Sequence, residues 1–324
     1  MTARRRPVLG AALMLIGCAS TLSSSVPFVF NALRITVRDD LWNLVDLSRH
    51  GVETMGLSVE WGMLSAAMGM YLSLLMAWAG IGWWKGRPWA ATTTWAYVAC
   101  GPAVTFTDLI IFIFAGRPCG LLSRLIFFDA LGLLLPVALG LWLAARSRWA
   151  TGPALAATQD AETAPGPSRR PALALLLMVI GAAGATMGVV PFVLSGLRII
   201  LGRDPWSAPD LARHGVDGLG LSTEWCMLTS AMCTCLGALM LWAGAGWLKG
   251  LRRRPWTRLW TWVYVTCALV VNATDTMIFL FKARPGPTRN LMLAADGVGL
   301  LIACLLGVWL LAGRVGRSGK EQKA

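Results

Sequence analysis

Long apolar stretches separated by short polar or basic segments fill most of the chain, four in each half. Each stretch reaches or exceeds the roughly 20 residues that an α-helix needs to cross a hydrocarbon core of about 30 Å. The helices are predicted at residues 8–33, 61–84, 89–115, 122–145, 172–197, 225–248, 259–281 and 291–312. The pattern therefore predicts an all-α polytopic membrane protein with eight transmembrane helices.

The second half of the chain repeats the first. The stretch LSRHGVETMGLSVEW, which begins at Leu47, returns as LARHGVDGLGLSTEW from Leu211, and matching fragments flank both copies. Self-similarity at a fixed offset indicates an internal repeat. We therefore predict a first four-helix membrane unit, a flexible cytoplasmic linker, a second four-helix membrane unit and a basic disordered tail, at residues 1–148, 149–170, 171–313 and 314–324.

Four crossings per unit return the chain to the side on which it started. Both units are therefore predicted to point the same way, as two parallel tandem four-helix units. Most of the 29 Lys and Arg residues then fall on the side of the N-terminus. Because basic residues concentrate on the cytoplasmic side, we expect a multi-pass protein of the plasma (inner) membrane with both termini cytoplasmic.

Composition indicates that lipid is the main partner. Hydrophobic residues make up 56% of the chain and charged residues 14%, and the mean hydropathy is +0.62, which is more apolar than one soluble core can hide. The formal net charge of +13 would suit a nucleic-acid binder only if the basic residues shared one soluble face. They stand instead in short clusters between apolar stretches, so we expect a lipid bilayer and no nucleic acid as partner.

The N-terminus allows two interpretations. A basic start, an apolar run and the sequence Leu15-Ile16-Gly17-Cys18 have the form of a bacterial lipoprotein signal, in which Cys18 would be lipidated after cleavage. The corresponding segment that begins at Pro171 has the same apolar form in mid-chain, where no signal peptide can act, and it has Ala182 in place of the cysteine. We favour an uncleaved first membrane helix.

The eight cysteines lie mostly inside apolar stretches, where a free cysteine behaves as a small hydrophobic residue. Neither a CxxC pair nor a His-rich tract is present. We expect that the two copies share no cysteine position. We therefore expect no metal site, no cofactor and no repeated disulfide.

Ionisable residues that are costly to keep near lipid occur at matching places in both copies. The candidate ligand- or proton-binding residues are Arg34, His50, Glu60, Asp108, Arg117, Asp129, Arg198, His214, Glu224, Asp275, Arg284 and Asp296. At a rise of 1.5 Å per residue, Asp108 lies about 10 Å below the outer surface, and Asp129 lies at the same depth in the next helix. Hydrogen-bonding side chains stand beside the two inner aspartates, at Thr105, Thr107, Asn272 and Thr274. Each unit is thus predicted to carry a small polar pocket that opens outward.

Two interpretations of these residues stay open. In the first, the acids and arginines pair with one another and hold the bundle in register. In the second, each pocket binds a proton, a cation or a small polar solute. The second interpretation leads to the functional hypothesis, which is binding or passage of a small solute or ion, coupled to protons through Asp108 and Asp275.

The polar segment after the first helix of each unit supports an alternative function. Each contains an Arg-His-Gly sequence, with His50 or His214, and such a histidine acts as a helix cap or as a pH-sensitive gate. These segments also offer a surface on which an extracytoplasmic protein partner docks, as in a non-catalytic membrane subunit. Catalytic motifs such as GxSxG, HExxH and a Walker lysine loop are absent from the sequence, so no catalytic residue is assigned.

Overall fold

The computed structural model describes residues 6–37, 52, 54–87, 89–150, 171–202, 218–248 and 255–321, and these residues contain eight long α-helices and no strand. The helices are α1 (Pro7–Val37), α2 (Val59–Lys85), α3 (Ala90–Phe114), α4 (Gly120–Ala150), α5 (Pro171–Leu201), α6 (Thr223–Leu248), α7 (Pro255–Phe281) and α8 (Pro287–Glu321). All eight are long and apolar enough to span a bilayer. This confirms the all-α architecture and the eight predicted helices of membrane-spanning length. We call α1–α4 the first half and α5–α8 the second half.

The bundle has four inner helices and four outer helices. Between 44% and 61% of the most apolar window of α2, α3, α6 and α7 is buried, against 11% to 17% for α1, α4, α5 and α8. Each outer helix packs mainly on one inner helix: α1 on α2, α4 on α3, α5 on α6 and α8 on α7. The inner helices of both halves contact one another, so a single core runs through the middle of the bundle.

Both ends of α2 follow from its local sequence. Ser58 caps the N-terminus, because its hydroxyl accepts a hydrogen bond from the Trp61 amide at 3.3 Å. Glu60 lies in the first turn, where a negative charge is favourable beside the helix dipole. At the other end Gly86 has a φ of 65°, and its amide donates to carbonyls of the last turn. Since this conformation costs little only for glycine, Gly86 ends the helix before the basic turn.

Glycines let the outer helices α1 and α5 approach the inner helices closely. A Cβ atom at Gly17 would lie 2.6 Å from the backbone nitrogen of Ala77 in α2, and one at Gly181 would lie 2.7 Å from that of Leu241 in α6. These separations are too short for a side chain, so both positions require glycine. In lipid, helices associate through such close van der Waals packing instead of through the hydrophobic effect.

The predicted and observed helices agree closely inside the bundle and differ at its ends. Helix α8 continues to Glu321, into the segment that we predicted to be a disordered tail, and α4 continues to Ala150, into the start of the predicted linker. In α2 the small residues Ser65, Gly69 and Ser73, spaced by four, predict a central helix, and α2 is one of the inner four. The remainder of the linker, residues 151–170, lies outside the described residues.

Three tryptophans lie deeper than their sequence positions suggested. Their positions near helix ends predict that Trp61, Trp83 and Trp225 belong to aromatic belts at the membrane boundaries, but the three side chains are only 3%, 2% and 4% exposed. In each case the indole N–H donates to a polar side chain of the neighbouring inner helix. The assignment to a belt was therefore wrong for these three residues, because a buried tryptophan is favourable when its N–H finds an acceptor.

Replacing Gly17 or Gly181 by alanine is expected to lower the free energy of unfolding by about 1–3 kcal/mol, because the added methyl group meets backbone atoms that cannot move aside. Thermal unfolding of the purified protein in mild detergent measures the effect. Gly297 is the matched control, since it also lies inside a helix but a Cβ atom there would have no neighbour within 4 Å. Alanine at Gly297 should leave stability unchanged or raise it; an equal loss in all three variants would contradict the close-packing role.

Candidate functional site

An aspartate in α3 is buried against α2. Asp108 is 5% exposed, and both of its carboxylate oxygens accept hydrogen bonds from α2. Trp61 Nε1 donates to Oδ1 at 2.9 Å, and Ser65 Oγ donates to Oδ2 at 2.7 Å. Trp61 and Ser65 are four residues apart and therefore lie on the same face of α2. The Trp61 ring also packs edge-on against Phe112 of α3, which holds the indole against the carboxylate.

The second half contains the same arrangement between α6 and α7. Asp275 is 4% exposed, and Trp225 Nε1 donates to its Oδ1 at 3.0 Å. Thr229 Oγ1 donates to Oδ2, so a threonine hydroxyl replaces the serine hydroxyl of the first half. The Trp225 ring packs edge-on against Phe279. Each half thus buries one carboxylate whose two oxygens are bonded to an indole and a hydroxyl.

Backbone contacts at the start of α2 fix the position of Trp61. The amide of Arg117, which follows α3, donates to the carbonyl of Met55 at 2.7 Å. Gly56 then turns the chain with a φ of 70°, and a Cβ atom there would lie 2.9 Å from the Arg117 side chain. Only glycine suits this position. The exit of α3 therefore holds the entry of α2, and the same contacts are made by Leu219, Gly220 and Arg284.

A second carboxylate lies near each buried one. Asp129 of α4 is partly buried and within electrostatic range of Asp108, and Asp296 of α8 has the same relation to Asp275. Like charges placed this close in a low-dielectric bundle favour a proton or a cation between them.

Glu60 has a partner that the sequence did not predict. This residue is 4% exposed, and its Oε1 lies 4.0 Å from Nζ of Lys282, which belongs to the turn between α7 and α8 of the other half. The matching residue Glu224 is partly buried. The position in the first half that corresponds to Lys282 holds Ala115, which cannot pair with Glu224. The two halves therefore differ in how they compensate this glutamate.

The four candidate arginines lie near the same end of the bundle as Glu60 but are not bonded to the buried aspartates. Arg34 and Arg198 are partly buried in the last turns of α1 and α5. The side chains of Arg117 and Arg284 are exposed and lie over the glycine turns. Within the described part of the chain, the hydrogen bonds and ion pairs of Asp108 and Asp275 involve neutral donors only. This disfavours the interpretation in which arginines neutralise these acids.

Contacts between the halves lie next to the two sites. Ser58 and Ser222, the residues before α2 and α6, approach each other with 2.6 Å between their hydroxyl oxygens. Deeper in the bundle, the Tyr71 hydroxyl of α2 donates to the carbonyl of Val263 in α7 at 3.0 Å and lies 3.2 Å from the Thr266 hydroxyl. The two halves therefore meet along the inner helices that carry the buried aspartates.

The hydrogen-bonding residues beside the aspartates in sequence do not bind the carboxylates. The hydroxyls of Thr105, Thr107 and Thr274 donate to carbonyls four residues earlier in their own helices, as does the amide of Asn272. A helical threonine satisfies its hydroxyl most easily within its own helix. The actual donors come from α2 and α6, where a tryptophan and a hydroxyl residue stand four apart in both copies. That repeated spacing was the signal available in the sequence.

One further match between the copies was missed. The second basic turn is three residues longer than the first, and this shifts the alignment of everything that follows it. With the shift, Cys100 and Cys267 occupy the same position, and both are buried. The statement that the copies share no cysteine position was therefore wrong.

Two candidates cannot be placed. His50 and His214 lie outside the described residues, together with the Arg-His-Gly segments to which they belong. Within the ranges that the structure describes, no group of three or more His, Cys, Asp or Glu side chains is arranged to hold a metal ion. The chemistry that the described residues offer is therefore that of paired carboxylates with neutral hydrogen-bond donors.

Comparisons with known proteins do not add a relative. No family model matches the chain, and no curated protein and no solved structure matches it. The function is therefore argued from the residues of the two sites themselves.

Replacing Trp61 or Trp225 by phenylalanine removes one donor from a buried carboxylate. We expect each change to lower the free energy of unfolding by about 1.5–3 kcal/mol, the range for hydrogen bonds to charged groups. Thermal unfolding in mild detergent, followed by loss of the monodisperse species, measures this. Trp78→Phe is the control, because Trp78 is 55% exposed and stacks on Trp89 at the bundle surface. If Trp78→Phe costs as much as the other two, the indole–carboxylate bonds are not what stabilises the site.

Proposed function

We propose that the protein is a multi-pass membrane protein that binds a proton or a small cation at two carboxylate pairs, Asp108 with Asp129 and Asp275 with Asp296, and passes it through the bundle. The observation that carries the proposal is that the two inner aspartates are buried between apolar helices and are bonded to neutral donors in both halves.

The cost of burying charge supports this function. An ionised carboxylate at membrane depth costs several kcal/mol, and acids found there mark ion or proton pathways unless a fixed positive charge compensates them. An indole and a hydroxyl orient a carboxylate but carry no charge, so they do not neutralise it. A proton or a mobile cation supplies the missing charge, and its exchange is the function.

The second aspartate of each pair gives the ligand a route. Asp129 and Asp296 lie on the outer helices α4 and α8 and are less buried than Asp108 and Asp275. In this proposal the ligand passes from the deeply buried carboxylate to the shallower one. Each half thus offers the ligand two carboxylates, one deeply buried and one more exposed.

We also propose that the bundle arose by tandem duplication, with two parallel four-helix units. Support comes from contacts that recur at matching positions, of which the tryptophan–aspartate bonds, the glycine turns and the edge-on Trp–Phe pairs are described above. At the opposite end of the inner helices, Trp83 Nε1 donates to Thr94 Oγ1 and Trp247 Nε1 to Thr261 Oγ1, at 3.0 and 3.2 Å. The contact of Ser58 with Ser222 places the starts of α2 and α6 side by side, as parallel units require.

In this proposal, the type of membrane and the orientation of the protein in it are inferred only from the distribution of Lys and Arg. Basic residues concentrated at the ends of the chain and in the turns after α2 and α6 favour a plasma (inner) membrane with both termini cytoplasmic. The site end of the bundle, with Glu60 and Lys282, then faces outward. Docking of an extracytoplasmic partner on the Arg-His-Gly segments stays a separate prediction for residues outside the described ranges.

Changing both inner aspartates to asparagine, as Asp108→Asn/Asp275→Asn, should abolish proton movement. The protein is reconstituted in liposomes that contain a pH-sensitive dye, and a potassium diffusion potential drives protons inward. We expect the wild type to acidify the lumen. Liposomes with the double variant should behave as protein-free liposomes, because the asparagine amide accepts the Trp hydrogen bond but cannot take up a proton in the assay. In parallel, a hydrophobic carbodiimide should modify the protonated carboxyls of the wild type, as read by peptide mass spectrometry.

The control for this experiment is Asp160→Asn, the same chemical change in the segment between α4 and α5, which should leave proton movement as in the wild type. The proposal is contradicted if the folded double variant moves protons as fast as the wild type and no carboxyl of either pair reacts with the carbodiimide.

The parallel arrangement has its own test. Cysteines introduced as Ser58→Cys/Ser222→Cys should form a disulfide under mild oxidation, because the two hydroxyl oxygens are 2.6 Å apart. A protease site inserted between residues 151 and 170 separates the halves, which should stay together on a non-reducing gel and separate on reduction. Ser58→Cys alone is the control for the native cysteines. Separation of the oxidised double variant into two fragments would refute the side-by-side start of α2 and α6.

A further inference from the structure

The two carboxylate pairs differ in the groups that surround them. In the second half, two buried oxygen atoms, Asp296 Oδ2 and Thr276 Oγ1, have no hydrogen-bond partner among the described residues. In the first half, Leu109 stands at the position of Thr276, and Asp129 has no buried oxygen of this kind. Because an unsatisfied polar atom in a native bundle is rare and costly, the second half needs a ligand that the first half does not.

Thr276 behaves unlike the other threonines of its helix. The hydroxyls of Thr261, Thr266 and Thr274 all donate to the carbonyl four residues earlier in α7. That bond is the default for a threonine inside a membrane helix, since it removes an unsatisfied donor. The Thr276 hydroxyl does not make it, so this hydroxyl has no hydrogen-bond partner among the described residues.

The register of α7 and α8 brings Thr276 and Asp296 to the same level of one interface. On one side of them, a Cβ atom at Gly299 would lie 2.9 Å from Nδ2 and 3.0 Å from Oδ1 of Asn272. On the other side, Arg289 Nε donates to the carbonyl of Phe279 at 2.7 Å. Thr276 is one turn after Asn272, and Asp296 is one turn before Gly299. The two helices run in opposite directions, so the two residues lie opposite each other between these contacts.

Asn272 completes a set of oxygen atoms. Its Nδ2 donates to the carbonyl of Ala268 at 2.8 Å, which fixes the side chain beside Gly299 of α8, and its Oδ1 remains available as an acceptor. A carboxylate, a hydroxyl and an amide oxygen are hard ligands of the kind that alkali and other hard cations take. The positive groups nearby are engaged elsewhere: Arg289 binds the carbonyls of Phe279 and Leu280, and Lys282 pairs with Glu60.

We infer that the second half binds a small alkali cation, Na⁺ in the first place, between α7 and α8, with Asp296, Thr276 and Asn272 as ligands, whereas the first half binds a proton. A water molecule would satisfy the hydroxyl, but it would leave the carboxylates Asp296 and Asp275 without a compensating charge. This inference rests on the proposed function, because it names the ligand of the second carboxylate pair.

Cation binding is tested on the full-length purified protein with NaCl against choline chloride at equal ionic strength. A hydrophobic carbodiimide reacts with protonated carboxyls, and peptide mass spectrometry reads Asp129 and Asp296 separately. Bound Na⁺ displaces the proton from Asp296, so at ten times the dissociation constant labelling of Asp296 should fall about tenfold. Labelling of Asp129 should stay unchanged. Na⁺ should also raise the Tm of the wild type relative to choline.

Thr276→Val removes the hydroxyl and keeps the shape of the side chain, so Na⁺ should no longer protect Asp296 at the concentration that protects the wild type. Thr274→Val is the matched control, because its hydroxyl is bonded within the helix, and it should keep the protection. If Thr276→Val does not fold, Asp296→Asn carries the same test through the Tm, which Na⁺ should no longer raise.

Two results would overturn the inference. The first is labelling of Asp296 that is equal in Na⁺ and choline, which means that water or a proton alone occupies the site. The second is protection that survives unchanged in Thr276→Val. Both outcomes differ from failure of the proposed function, in which neither Asp129 nor Asp296 is labelled under any condition.

Discussion

A carboxylate buried between membrane helices, with an indole and a hydroxyl as its donors, is the constraint on which the rest of the bundle depends. Asp108 binds α3 to α2 through Trp61 and Ser65, and the second half repeats the bond between α7 and α6. The glycine turn before α2, its serine cap and the backbone bond from the exit of α3 all serve to place the indole. Because the donors are neutral, they orient the acid without neutralising it.

Comparison of the two halves shows where change was tolerated. Next to the first site, a Cβ atom at Gly62 would lie 3.0 Å from the Asn31 side chain; the matching positions hold Cys226 and Ser195. A larger residue on one helix is thus balanced by a smaller one on its neighbour, as close packing demands. At the buried carboxylate itself, the aspartate and the tryptophan are the same in both halves, and the second donor is a hydroxyl in both. The halves differ instead at the residue after the buried aspartate, where α7 has Thr276 and α3 has Leu109.

The sequence allowed most of the architecture and only part of the site to be predicted. Apolar length predicts a membrane helix well because lipid leaves no alternative for the backbone, and α2 and α6 agree with prediction to within two residues. Asp108 and Asp275 were identified because charge at membrane depth is rare. Their donors were not, because a tryptophan near a helix end is equally typical of a membrane interface. Only the spacing of Trp61 and Ser65, repeated at Trp225 and Thr229, distinguishes the two environments.

The described partners of Asp108 and Asp275 are neutral donors, and this observation favours the proposed functional interpretation over a structural one. An arginine bonded to either acid would neutralise it permanently and make it part of the scaffold. Neutral donors leave the electrostatic cost of an ionised carboxylate in place, and in the proposed function a proton or a cation offsets it. The bundle around the acid is held by packing that needs no charge, such as the glycine contacts of α1 with α2. Under the proposed function, a proton or cation could then bind and leave while this packing holds the helices in place.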